Sequence, residues 1–149
     1  MLGEGFDSNH NFCFADYAAD NRFGFFYNCS QSQWFQPYNV SPKHAAATYA
    51  ALSYILKGYV SEGRITSRLN GSQWGYKYKD TWDPGSTAVI YAVWDRKEFF
   101  SSPLTLNLDE TTGTVTVYDI VGNEVLSQPN TGSIDLTITD NVLYVKVEP

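Results

Sequence analysis

The chain has 149 residues and a net charge of −6, with a pI near 4.7, a length that suits one domain or one domain plus a fragment. The charge excludes polyanionic partners, because nucleic acid and anionic membrane surfaces both require the opposite sign. Hydrophobic residues make up 43% and charged residues only 17%, so a real core can form, yet no run approaches the ~18 consecutive apolar residues of a bilayer span.

Met1-Leu-Gly-Glu-Gly carries no basic region and no apolar segment, so it does not read as a signal peptide. Residues 1–22 are irregular, and Glu4, Asp7, Asp16 and Asp20 form an acidic cluster without EF-hand spacing. Cys13 and Cys29 stand without a C-x-x-C motif and with only two histidines in the chain. They read as packed thiols, with a disulfide between them as the other reading, and no metal or cofactor is expected. Phe23-Gly-Phe-Phe-Tyr-Asn28 reads as a short, fully buried strand. Residues 29–40 then read as a loop carrying Trp34, Phe35 and Tyr38.

A helix follows. Ser41 can cap it and Pro42 suits its first position. Ala45, Tyr49, Leu52, Leu56 and Tyr59 keep helical spacing, and Gly58 can end it. Beyond the helix, strands are expected at residues 64–69 and 72–80, flanking the hairpin signal Asn70-Gly71. Trp74, Tyr76 and Tyr78 fall on one face of the second. Residues 86–95 (STAVIYAVWD) are apolar on both faces, as a central strand would be. Strict period-two alternation marks Leu104, Leu106 and Leu108, then Val115 and Val117, then Ile134, Leu136 and Ile138, then Leu143, Val145 and Val147. The fold class is therefore mainly β: an antiparallel β-sandwich of about eight strands, preceded by one strand-loop-helix unit. The division falls between residues 1–60 and 61–149.

The segments GSTAVIYAVWD (85–95), VTVYDIVGN (115–123), GSIDLTI (132–138) and VLYV (142–145) resemble the C-terminal β-sandwich appended to the (β/α)8 barrel of clan-A glycoside hydrolases. The strand at 23–28, the aromatic loop and the helix opening SPKHAAATYAAL are similar to the last strand, loop and helix of such a barrel. The resemblance covers nearly the whole chain but only the end of the family's chain.

The resemblance implies a retaining mechanism with two glutamates, their carboxyls ~5–5.5 Å apart on the C-terminal rim of the barrel. Glu4 stands roughly where the nucleophile would match, with only Met1-Leu-Gly ahead of it; a plain loop carboxylate is the other reading. The acid/base strand has no counterpart, and Asn123-Glu124 sits in a sandwich turn. The chain alone is thus expected to bind glycan or support a hydrolase structurally, without turnover. Trp34, Phe35 and Tyr38 would lie on the substrate rim, and Trp74 and Trp82, near a sandwich hairpin, form the competing platform. The alternatives are a small glycosidase that completes its site by oligomerising, with Glu4 as nucleophile, and a structural sandwich with no ligand. A strand at 23–27 without its barrel neighbours would leave an open edge, so a homo-oligomer is expected unless the missing barrel portion covers it. The resemblance suggests an extracellular setting.

Overall fold

Residues 43–65, 67 and 69–149 are described by a computed structural model of the chain. Glu4, the expected strand at 23–27 with the oligomer it implies, Trp34, Phe35, Tyr38, both cysteines and Ser41-Pro42 lie outside the described residues.

The alanine-rich run HAAATYAALSYI forms helix α1 (His44–Ile55), as expected of the residue with the highest helix propensity. Its N-cap is Lys43, in extended conformation and without a side-chain cap. Gly58, at φ +84°, then turns the chain out of the helix. Eight strands follow: β1 (Tyr59–Arg64), β2 (Gln73–Asp80), β3 (Val89–Asp95), β4 (Ser102–Asn107), β5 (Thr114–Tyr118), β6 (Glu124–Pro129), β7 (Ser133–Ile138) and β8 (Leu143–Glu148). Six of them form one antiparallel sheet in the order β1-β2-β3-β8-β5-β6, and β4 and β7 pair as a second, two-stranded sheet.

Alternation decides what each face meets. Val89, Tyr91 and Val93 of β3, Val115 and Val117 of β5, and Val145 and Val147 of β8 point toward the small sheet. There they pack on Leu104 and Leu106 of β4, Ile134 and Ile138 of β7, and Leu108. The opposite face presents Tyr76 and Tyr78 of β2, Ile90 and Ala92 of β3, and Tyr144 of β8. Leu52, Ile55 and Leu56 from α1 and its C-terminal turn cover that face. The sandwich is thus closed on one side by two strands and on the other by a helix.

Buried polar groups fasten the layers. Gln73 and Asp95 are both buried. The Ser102 hydroxyl donates to Asp95 Oδ2 at 2.7 Å, and Gln73 Nε2 donates to Ser102 Oγ at 3.2 Å and to the Pro103 carbonyl at 3.0 Å. β2 and β3 of the large sheet are thereby tied to β4 of the small one, with the buried donors satisfied.

Two sequence expectations shift. The first strand is β1 at Tyr59–Arg64 rather than at 64–69, and β2 begins at Gln73. Asn70 N donates to Gln73 Oε1 at 3.1 Å and Gln73 N to the Asn70 carbonyl at 2.7 Å. Asn70-Gly71 therefore turns the end of a longer loop, locked by a buried glutamine, instead of joining two strands directly. β6 was not foreseen; its residues EVLSQP are almost all exposed, so no apolar alternation marks them.

The β5–β6 turn is built by one carboxylate. Asp119 Oδ1 accepts from Val121 N at 3.0 Å and Asn123 N at 2.8 Å, and Oδ2 accepts from Asn123 Nδ2 at 2.9 Å. Desolvation pushes the Asp119 pKa up, but the bonds from Asn123, Val121 and Gly122 outweigh it and hold the pKa below the usual value.

Leu106→Ala, at a fully buried site, should cost about 2–5 kcal/mol by urea unfolding, whereas Leu126→Ala on the exposed edge should cost less than about 1. A carboxylate with a depressed folded pKa contributes stability above its unfolded pKa, lost as pH falls through the folded value. Asp119→Asn should therefore be less stable than the parent at neutral pH, and the gap should shrink as pH drops below about 4; melting curves across that range measure it.

Candidate functional site

Each end of β2 carries an aromatic group, and the two are built differently. At the C-terminal end, Thr81 closes the chain onto the helix exit: its N and Oγ1 both donate to the Gly58 carbonyl at 2.9 Å. Trp82 N then donates to Asp80 Oδ1 at 2.8 Å, and Gly85 N to Asp83 Oδ1 at 2.9 Å. These bonds fix the turn and set the indole of Trp82 over Gly58. A Cβ at Gly58 would meet Trp82 Cβ at 2.9 Å and Cε3 at 3.1 Å. Glycine is needed there twice, for its positive φ and for the ring seated against it. The Lys57 ammonium stands 5.1 Å from the ring centre. Even so, Trp82 is 70% exposed. Hydrogen bonds from the Ser86 side chain and from the backbone of Trp82 and Asp83 lower the Asp80 pKa. The turn therefore offers an open aromatic face beside two carboxylate-bearing residues.

At the N-terminal end, Trp74 of β2 lies directly across from Trp94 of β3, on the face that carries α1. Their ring centres are 6.1 Å apart, and Tyr76 stacks on Trp94 at 5.8 Å and 20°. The Arg64 guanidinium sits 3.9 Å from the centre of the Trp74 ring and that of Arg96 at 4.8 Å. The register explains this: Arg64 pairs with Tyr76, and Arg96 follows Trp94 by two residues, so alternation puts both on the Trp74 side. Trp74 Nε1 is buried without a hydrogen-bond partner.

On the sandwich side, Lys77 gathers carboxylates. Its ammonium lies 2.7 Å from Asp109, 3.4 Å from Glu62 and 3.6 Å from Glu110. The Tyr91 hydroxyl donates toward Glu110 Oε2 at 3.2 Å and accepts from Asp109 N at 3.1 Å. Burial would lower the Lys77 pKa, but the Asp109 hydrogen bond and the nearby Tyr91, Glu110 and Asp109 groups raise it well above the usual lysine range. Burial also raises the Tyr91 pKa. Asp109 and Glu110 are thus held by a lysine and a tyrosine in a network that clamps the β4–β5 connection to β2 and β3.

Of the residues singled out from the sequence, Trp74 and Trp82 are described, and the structure does not bring them together. They stand at opposite ends of an eight-residue strand, some ~25 Å apart at β-strand rise. Glu4, Trp34, Phe35 and Tyr38 lie outside the described residues. Sequence reading missed Trp94, Arg64 and Arg96. Alternation along residues 89–96 did carry the signal for Trp94 and Arg96, but Arg64 joins them only through a register that begins five residues earlier than expected.

No family model matches this chain, and no curated protein matches it. Among solved structures, its fold is similar to part of a family 39 glycoside hydrolase from the gut symbiont Bacteroides cellulosilyticus WH2, with a TM-score of 0.61 and 18% identity. The match covers 85% of this chain and 22% of that one, so the chain spans about a fifth of that protein's length. At this identity the likeness is one of fold.

Gly58→Ala should destabilise by about 2–3 kcal/mol, since left-handed strain adds to displacement of the indole. Gly71→Ala is the control: it has φ +48° but open space around it, and should cost about 1 kcal/mol. Urea unfolding of the pair compares them directly.

Proposed function

We propose that this chain is the accessory β-sandwich part of a carbohydrate-processing protein, and that it holds glycan rather than cleaving it. The observation that carries this reading is Trp82, a large ring 70% exposed on a turn fixed by four hydrogen bonds to backbone donors and acceptors. An indole held open on a fixed turn presents a flat apolar face, and sugar rings present flat C–H faces that an indole covers. Asp80 and Asp83 flank it with acceptors for sugar hydroxyls. The fold likeness to part of a glycoside hydrolase supports the ligand class.

Turnover asks for more. Hydrolysis of a glycosidic bond needs a proton donor and a second carboxylate flanking the substrate on a rigid frame. Among the described residues, Asp109 and Glu110 are adjacent carboxylates, but Lys77 and Tyr91 already engage them. The aromatic rim at Trp34, Phe35 and Tyr38 implied by the barrel resemblance is the competing binding place.

Titration with soluble xylan and glucan should give saturable binding that Trp82→Ala weakens about tenfold or more. Trp34→Ala should leave it unchanged, and no aryl glycoside should be turned over. Unaltered affinity in the Trp82 variant would remove this reading in favour of the rim.

A further inference from the structure

The N-terminal end of β2 holds an arrangement that packing alone leaves unexplained. The chain carries a net charge of −6, yet two guanidiniums converge on one ring, Arg64 and Arg96 on Trp74. The ion pairs among the described residues use Lys77 and Lys146, and neither arginine shares a carboxylate there. Both arginines are exposed, while Trp74 between them is only partly so.

Stacking occupies the flat face of a guanidinium and leaves its N–H edges free in the plane, in the fork that fits a carboxylate with two parallel hydrogen bonds. Beside these donors, the partly exposed Trp94 extends the aromatic surface, with Tyr76 stacked on it. Exposed guanidinium edges, set beside rings that accept a C–H face, are the two halves of recognition for an acidic sugar.

We infer that Arg64, Arg96 and Trp74 form a second binding site, separate from Trp82, for the carboxylate of a uronic-acid residue. The overall negative charge repels densely charged chains, so the ligand is a mostly neutral glycan carrying isolated uronates. The glycan reading supplies the sugar; the arginine pair supplies the selectivity for its acid group.

The test is calorimetric titration of the full chain with two probes: a xylo-oligosaccharide bearing one glucuronate branch, and the same oligosaccharide without it. The branched probe should bind more tightly. Arg64→Gln and Arg96→Gln should each remove about tenfold of its affinity without moving that of the unbranched probe, and added salt should weaken it. Arg96→Lys keeps the charge but not the fork, and should fail to restore affinity. Trp82→Ala should preserve the preference for the branched probe. Equal affinity for the two probes, or a branched-probe affinity unchanged in a double Arg→Gln variant that melts like the parent, overturns the site. A sulfated counterpart bound more tightly than the glucuronate overturns the assignment to a carboxylate. If Trp82→Ala leaves neutral binding intact while the arginine variants still abolish the branched-probe preference, the Trp82 reading falls and this one stands.

Discussion

Everything in this fold depends on β3 being buried on both faces. Ile90, Tyr91 and Val93 have no solvent exposure, and the strand alternates between two cores, Val89, Tyr91 and Val93 in one and Ile90 and Ala92 in the other. A strand of that composition is stable only if each side of its sheet meets another layer, since leaving either bare exposes several large apolar side chains at about 25 cal/mol per Å². The β4–β7 pair meets one demand and α1 the other. A two-stranded sheet is marginal by itself. It persists here because its leucines and isoleucines face β3, β5 and β8, and because Gln73 and Asp95 bind it through Ser102 and Pro103.

Much of this was legible in the sequence, for a physical reason. Period-two alternation is visible wherever one face is buried and the other wet, and it located β4, β5, β7 and β8. The continuous apolar run of STAVIYAVWD named the central strand. Where both faces are exposed, as in β6, burial leaves no pattern to read. The β1 error has another cause. Val60 is exposed and Gly63 sits in a bulge, so the strand looks unlike one. Asn70-Gly71, a strong local turn signal, drew the pairing toward itself although the Gln73 side chain and its tertiary bonds decide where the turn lies. The sites divide likewise. An exposed tryptophan can be suspected from sequence, but two arginines meeting on a ring from different strands depend on register, which composition does not contain.

The aromatic content therefore does two kinds of work. Tyr78, Tyr91 and Tyr144 are core residues, and burial pushes the phenols of Tyr78 and Tyr144 up to about 12. They stay neutral at any physiological pH, and their rings serve as packing. Trp82 and the Trp74–Trp94 pair sit at the margins of the same sheet, where rings are partly open and charged groups gather. The same residue types fill the interior and form the surface features, and position along β2 separates the two roles.

The strand order also governs when this molecule can become itself. β8, the last strand in the sequence, lies in the middle of the large sheet and pairs with both β3 and β5. Val89 must wait for Val147, a partner more than fifty residues away along the chain. The β1-β2-β3 meander and the β5-β6 hairpin can each close locally, but they stay two unjoined halves until the final strand arrives between them. Loop-closure entropy of that kind makes assembly slow relative to a local topology. On a ribosome it defers the event until β8 itself has been made, leaving the inner edges of β3 and β5 open until then.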